Sequence, residues 1–150
     1  MTRLALTLVV LVASAAPALA QSKALAESLA RMHAAVAVNV VEAAEKMPDA
    51  AFAFQPAKDV RTFGGFVGHV ANASYSYCSR AKGEANPNKE DFEKPLGKAA
   101  LVAAIKGATA YCDAVYKTQT DASLSELVTL GQNHQPRGEI LIQNLSHSNE

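Results

Sequence analysis

The sequence predicts an all-α protein, an antiparallel four-helix bundle, and three observations carry that expectation. Four segments repeat apolar residues at three- and four-residue steps, the period of a single buried helix face. Aromatic residues make up only 6% of the 150-residue chain and Trp is absent, so the core must be built from aliphatic side chains and many alanines. Such cores suit closely packed helices better than sheets. Strand signals are weak, and no internal repeat or low-complexity tract is visible. The length fits one domain, and a 49% apolar content is enough for one packed core.

Residues 1–20 read as an address. Arg3 precedes an apolar run from Leu4 to Ala16, Pro17 breaks it, and Ala18-Leu19-Ala20 supplies the small residues of a cleavage site. This is the pattern of a secretory signal peptide cut after Ala20, and the run is shorter than the ~20 residues a membrane span needs. No stable membrane anchor is expected after cleavage. The expected domains are therefore a signal peptide, 1–20, and a helical domain, 21–150, secreted or periplasmic in location. With 14 basic and 14 acidic residues and no basic cluster, nucleic acid is not an expected partner. Export would place Cys78 and Cys112 in an oxidising compartment. A bridge between them and two buried thiols both remain open, because spacing alone does not supply the Cα distance a disulfide needs.

The first helix is expected over Lys23–Lys46, with Ser22 as its cap and Leu25, Leu29, Met32, Val36, Val40 and Ala43 as its apolar face. Met47-Pro48-Asp49 ends it. Phe52 and Phe54 in the following link are expected to plug the bundle. The second helix runs from Thr62, an N-cap, to Lys82. Phe63, Phe66, Val67, Val70, Tyr77 and Cys78 mark its apolar side, and Gly83 stands at the left-handed C-cap position. Glu84–Pro95 is polar and reads as a loop longer than the others. The third helix spans Leu96–Lys117 with Leu101, Val102, Ile105, Ala108, Cys112, Val115 and Tyr116 in register. Thr118–Gln135 is irregular, with a capping box expected in Ser123-Leu124-Ser125-Glu126. The fourth helix starts near Pro136, with Ile140, Leu141, Ile142 and Leu145 as its apolar side. No Gly, Pro or basic last turn stops it before Glu150, so it reads as a helix cut short.

Four histidines are candidates for chemistry. His69 lies mid-way along the second helix beside Gly65, Asn72 and Ser76, and His147 lies on the fourth beside Gln143, Asn144 and Glu150. Each sits on a polar flank next to an apolar stripe, the placement a metal site between bundle helices requires. Their spacing of 78 residues contains no local metal motif, so the pattern alone is a weak signal. His33, at the edge of the first helix's core stripe, reads as a packed or surface residue, and His134 as a loop residue. Gly64-Gly65-Phe66-Val67-Gly68 follows no strand and is not a dinucleotide fingerprint. The expected role of its glycines is close helix approach or room above an ion. Asn72-Ala73-Ser74 is a glycosylation pattern placed inside a helix.

The order of short motifs carries a family resemblance. Met47-Pro48-Asp49, Phe54-Gln55-Pro56, the run Val60–Val70 containing Phe66-Val67-Gly68-His69, and Glu139–His147 together resemble the DinB family of DinB/YfiT-like metal-dependent proteins. The resemblance covers about Lys23–Glu150. It implies a four-helix bundle and a divalent ion (Zn, Ni, Fe or Mn) held by three histidines, of which His69 matches the first and His147 the second. The third would fall four residues after His147, one past Glu150. Glu150 itself, three after His147, is a poorer candidate ligand. The activity implied is that of a metal-dependent hydrolase or a thiol-transferase-like enzyme, with an unknown small-molecule substrate. Export favours hydrolysis, because low-molecular-weight thiol cofactors are chiefly cytosolic. Asn72, Tyr75 and Tyr77 lie close to His69 in sequence, but none identifies a general base, and Tyr77 is expected to pack. The alternative is a non-catalytic bundle, a stress or interaction protein with an incomplete metal site, and pairing into a homodimer through apolar helix faces is open.

Overall fold

The computed structural model describes residues 22–130 and 133–148. Helices α1 (Ala24–Lys46), α2 (Phe63–Lys82), α3 (Lys98–Lys117) and α5 (Arg137–His147) form the bundle. A 3-10 turn (Asp49–Ala53) follows α1. A single helical turn, α4 (Asp121–Leu124), and a hairpin of β1 (Leu127–Leu130) and β2 (Asn133–Pro136) lie between α3 and α5. The expected signal peptide and the last two residues, Glu150 included, lie outside the described residues.

The helices form a ring in which α3 packs against both α1 and α2, α5 packs against α2, and α1 meets α5 only thinly. Cross-contacts set the directions. His33 stacks on Tyr116 while Glu45 pairs with Lys106, so α1 and α3 are antiparallel. Arg137 donates to Ala81 O at 2.9 Å while His147 reaches His69, so α2 and α5 are antiparallel. Gly64 faces Leu101 and Cys78 is joined to Cys112, so α2 and α3 run in the same direction, which corrects the expectation of a wholly antiparallel bundle. The long polar connection of residues 83–97 is what allows this, since a parallel pair needs a crossover from one end of the bundle to the other.

Two apolar layers fill the ring. One gathers Leu29, Cys78, Cys112, Tyr116, Leu141 and Leu145, with Leu124 and Val128 closing its end. The other gathers Phe52, Val67, Val70, Leu101, Ile105 and Ala108. The Cys78–Cys112 disulfide, with Cα atoms 5.4 Å apart, staples α2 to α3 inside the first layer. Tyr116 ties α3 to α5 there by donating to Leu141 O at 2.6 Å.

Several local expectations need correction. The buried face of α1 is Ala26, Leu29, His33 and Ala44, whereas Leu25 and Met32 are each 54% exposed. An alanine-rich helix is apolar nearly all round, so two stripes fit the same period, and the one packed on α3 wins. Ser22 is not the cap of α1. The Ala26 N–H donates to Asp121 Oδ1 (2.9 Å), and Ser22 Oγ donates to the other oxygen of that carboxylate (2.6 Å). The capping box belongs to Thr120 and Ser123, three residues before the expected one, and opens α4. Phe52 plugs the bundle end against Phe63, but Phe54 is 63% exposed. His134 is on β2 rather than in a loop, 3.0 Å from the Thr129 hydroxyl on β1. Thr62 and Gly83 cap α2 as expected, and Gly83 is left-handed at φ 74°.

Candidate functional site

The bundle brings His69 of α2 and His147 of α5 together across 78 residues of sequence. Their Nε2 atoms stand 2.9 Å apart and their rings meet edge-on, with centroids 4.9 Å apart. The antiparallel packing of α2 and α5 aligns the middle of one helix with the end of the other. Tyr77, two turns after His69 on the same face, sets its ring 5.7 Å from that of His147, and the Arg80 guanidinium lies 5.7 Å from the Tyr77 ring. Tyr77 is therefore half-buried packing for the pair rather than a group aimed at a reacting atom.

His69 has a second partner that its sequence neighbours do not reveal. Glu93, in the connection between α2 and α3, places Oε1 2.8 Å from His69 Nδ1, and Arg61 Nε donates to Glu93 Oε2 at 2.8 Å. The hydrogen bond from His69, followed by that from Arg61, holds the Glu93 carboxyl below its usual range, so it is ionised. An ionised carboxylate can only accept, so Nδ1 carries the proton in neutral His69. Nε2 then presents a bare lone pair toward His147. A carboxylate behind the imidazole fixes both tautomer and ring orientation.

Gly68 explains how Glu93 arrives. A Cβ at this position would lie 2.0 Å from Phe92 O, so only glycine lets the connection pass this close over α2, and Glu93 is the next residue along. Asn72 completes the docking. Its Oδ1 accepts from Phe92 N (3.2 Å) and Asn88 Nδ2 (3.3 Å), and its Nδ2 donates to Asp91 (3.1 Å). Asn72 thus pins the connection instead of lining a cleft, and the glycosylation pattern around it is a structural anchor. Asn144 is likewise not on a polar flank. It is fully buried, 3.1 Å from Tyr116 Oη. Because the Tyr116 proton is committed to Leu141, the Asn144 amide is best oriented with its nitrogen donating to that oxygen.

His33 is buried on the other side of the core, stacked on Tyr116 with ring centroids 4.3 Å apart. Burial pushes its pKa down, partly opposed by Asp113, whose Oδ1 lies 3.3 Å from Nε2 without the alignment of a hydrogen bond. Neither His33 nor His134 reaches the His69–His147 pair. Among the described residues no group of three His, Cys, Asp or Glu side chains converges as a ligand set.

An apolar groove of about 890 Å³ lies one helical turn from His69, lined by Phe54, Pro56, Val60, Phe63 and Phe66 and sharing Arg61 with the Glu93 ion pair. Sequence reasoning did not find Glu93, Arg61 or this groove. The detectable signal was Gly68 beside His69, a helical glycine that calls for a close backbone approach.

The described residues thus form a helical bundle in which two histidines from facing helices meet and one of them is backed by a carboxylate. The chain belongs to the DinB superfamily, whose family model matches residues 32–150. Among solved structures it is similar to a DinB-like protein from Bacillus cereus ATCC 10987, with a TM-score of 0.68 and 17% identity over 82% of this chain and 83% of that one. It is also similar to a mycothiol-dependent maleylpyruvate isomerase and to a mutant of that enzyme. Their TM-scores are 0.64 and 0.65 at 17% and 16% identity, and each match covers 82% of this chain but 57% of the isomerase. At these identities the likeness is one of fold. No curated protein matches the sequence.

Proposed function

We propose that this DinB-superfamily protein is exported and holds a divalent metal ion between α2 and α5 through His69 Nε2 and His147 Nε2. The observation that carries the reading is the 2.9 Å separation of these two nitrogens, with His69 Nδ1 held by Glu93. Two imidazole nitrogens brought together from facing helices, one ring backed by a carboxylate, are a donor set that suits a divalent ion of this kind. The residues therefore fit such an ion. The same distance serves a hydrogen bond from His147 to His69, and to ligate through Nε2 His147 would carry its proton on Nδ1 instead.

The bound metal would supply Lewis acidity and a lowered pKa to a coordinated water or thiol. Glu93 fixes the tautomer of His69 and keeps its ring from rotating, and Arg61 holds Glu93 in place. The Phe54–Phe66 groove offers an apolar bed for the non-reacting part of a substrate. Hydrolysis of a small molecule is the preferred activity. The isomerase neighbour is named as mycothiol-dependent, which makes thiol-linked transfer or isomerisation the second choice. Export is supported by the leader-like residues 1–20 and by the Cys78–Cys112 disulfide, a bond characteristic of oxidising compartments. The competing reading, a non-catalytic bundle with an incomplete metal site, is favoured by the presence of two rather than three converging ligands among the described residues.

Calorimetric titration of the metal-free protein with zinc and with nickel separates the two. One ion per chain is expected, abolished by His69→Ala or His147→Ala and weakened about 10- to 100-fold by Glu93→Gln. Absence of stoichiometric binding by the wild-type protein would remove the metal-enzyme reading and leave the non-catalytic bundle.

A further inference from the structure

The outward face of α1 is unusual for a bundle helix. α1 rests chiefly on α3, and the side turned away from the core presents Glu27, Arg31, Ala34, Ala35, Val38, Glu42 and Lys46, all exposed. Arg31 to Val41 contains no charge after Arg31 itself, and Val38 is 54% exposed. The four charged side chains at the two ends of the face are 50–75% exposed.

Their order is the second observation. Reading along this face, the charges run negative, positive, an apolar centre of small residues, then negative, positive. Inverted by a two-fold axis passing between Val36 and Ala37, that order becomes its own complement. Arg31 comes opposite the partner's Glu42, and Glu27 comes opposite the partner's Lys46. Ala35 meets the partner's Val38 at the centre, where small side chains let two helix axes approach closely. The helical period keeps these pairs on one face, since residues equally spaced about the axis fall symmetrically about the same line. Toward α3 the face borders a depression of about 340 Å³ lined by Ala34, Ala37, Val38 and Val41 and edged by the charged Lys106 and Asp113.

We propose that a second copy of this chain docks on α1 in antiparallel fashion, forming a two-fold dimer. α1 is also long and apolar enough, by composition, to cross a membrane, with a mean hydropathy of 1.2. Lipid is the wrong occupant, because the charged residues lie on the exposed face itself. Self-complementary pairing is what an isologous interface requires. Within one chain the same charges already form the i,i+4 pairs Glu27–Arg31 and Glu42–Lys46, so docking adds cross-chain partners to each pair without leaving a charge unpaired. This inference is independent of the metal site, which lies on α2 and α5.

Sedimentation of the purified protein, alone and as charge-swapped variants, tests it. The wild-type protein is expected to dimerise in the micromolar range, more weakly at 500 than at 50 mM salt (order-of-magnitude expectations for a charge-flanked interface). Arg31→Glu and Glu42→Arg each place two like-charged pairs across the axis, and each alone should weaken the dimer by about tenfold or more. Mixed together in equal amounts they restore both opposite-charge pairs, so the mixture should dimerise as the wild type does. A variant that is simply misfolded cannot be rescued in this way. A wild-type protein that stays monomeric, or that is monomeric and binds phosphatidylglycerol vesicles, would overturn the proposal. So would a mixture that remains monomeric, or a wild-type dimer untouched by either substitution and broken instead by Phe54→Ser.

Discussion

At Gly68 a methyl group would stand 2.0 Å from the Phe92 carbonyl oxygen, and the backbone next to it carries the carboxylate that orients His69. Replacing this glycine by alanine in an ordinary helix interior gains about 1 kcal/mol. Here the substitution should instead cost about 1–3 kcal/mol through overpacking, measurable by urea denaturation, and it should lower metal affinity by lifting Glu93 away. His33 makes a prediction of a different kind. Its pKa is depressed in the folded protein, so between that value and the unfolded value near 6.5 the unfolded chain binds more protons. Stability should be full above this window and be lost as the pH falls through it. The urea midpoint is therefore expected to be lower at pH 5.5 than at pH 7.5, and His33→Phe, which keeps a ring on Tyr116, should flatten that slope. Sequence periodicity placed His69 and His147 on helices, yet Glu93 was not legible. A histidine's helical neighbours follow from spacing, whereas the direction in which a polar connection folds back does not.

At the level of elements, α1 owes its start to Asp121, 95 residues away from the backbone N–H that it caps. Hydrogen bonds from Ser22 and Ala26 hold the Asp121 carboxyl below its usual value, so this support is present at neutral pH and lost on acidification through the carboxylate range. Asp121→Ala should lower the melting temperature at pH 7 and leave it unchanged relative to wild type once Asp121 is protonated. A long-range cap of this kind leaves no local trace, and Ser22 was the obvious candidate from sequence. α2 was readable to both ends because Thr62 and Gly83 act on their own helix. The hairpin was missed for a related reason. Leu127–Leu130 is too short to show a period, and Asn133-His134-Gln135-Pro136 has none of the branched or aromatic residues that favour strands. Tertiary contact holds it instead, with Val128 buried in the core and Arg80 donating to Gln135 at 2.6 Å.

Over the whole molecule, α2 and α3 run side by side in the same direction with a crossover between them, and the Cys78–Cys112 bond joins them across 34 residues. Closing a loop of that length in the unfolded chain is worth about 4 kcal/mol in the chain-entropy model. Cys78→Ala/Cys112→Ala should therefore lose about 2–5 kcal/mol of unfolding free energy while keeping its helical circular dichroism. An all-helical bundle was legible because four apolar periods are properties of sequence, whereas the shared direction of α2 and α3 was not, since periodicity says nothing of which helices become neighbours. The bridge was not, because it depends on a distance that only the packed helices determine. The same packing brings His69 to His147, and the proposed function turns on what that pair holds. Anomalous diffraction at the zinc edge from crystals of the protein grown with zinc measures this most directly. One peak bonded to both Nε2 atoms at about 2.1 Å is expected, with Glu93 still on His69 Nδ1. Two imidazoles hydrogen-bonded to each other with no peak between them, in crystals that carry zinc elsewhere, would contradict it.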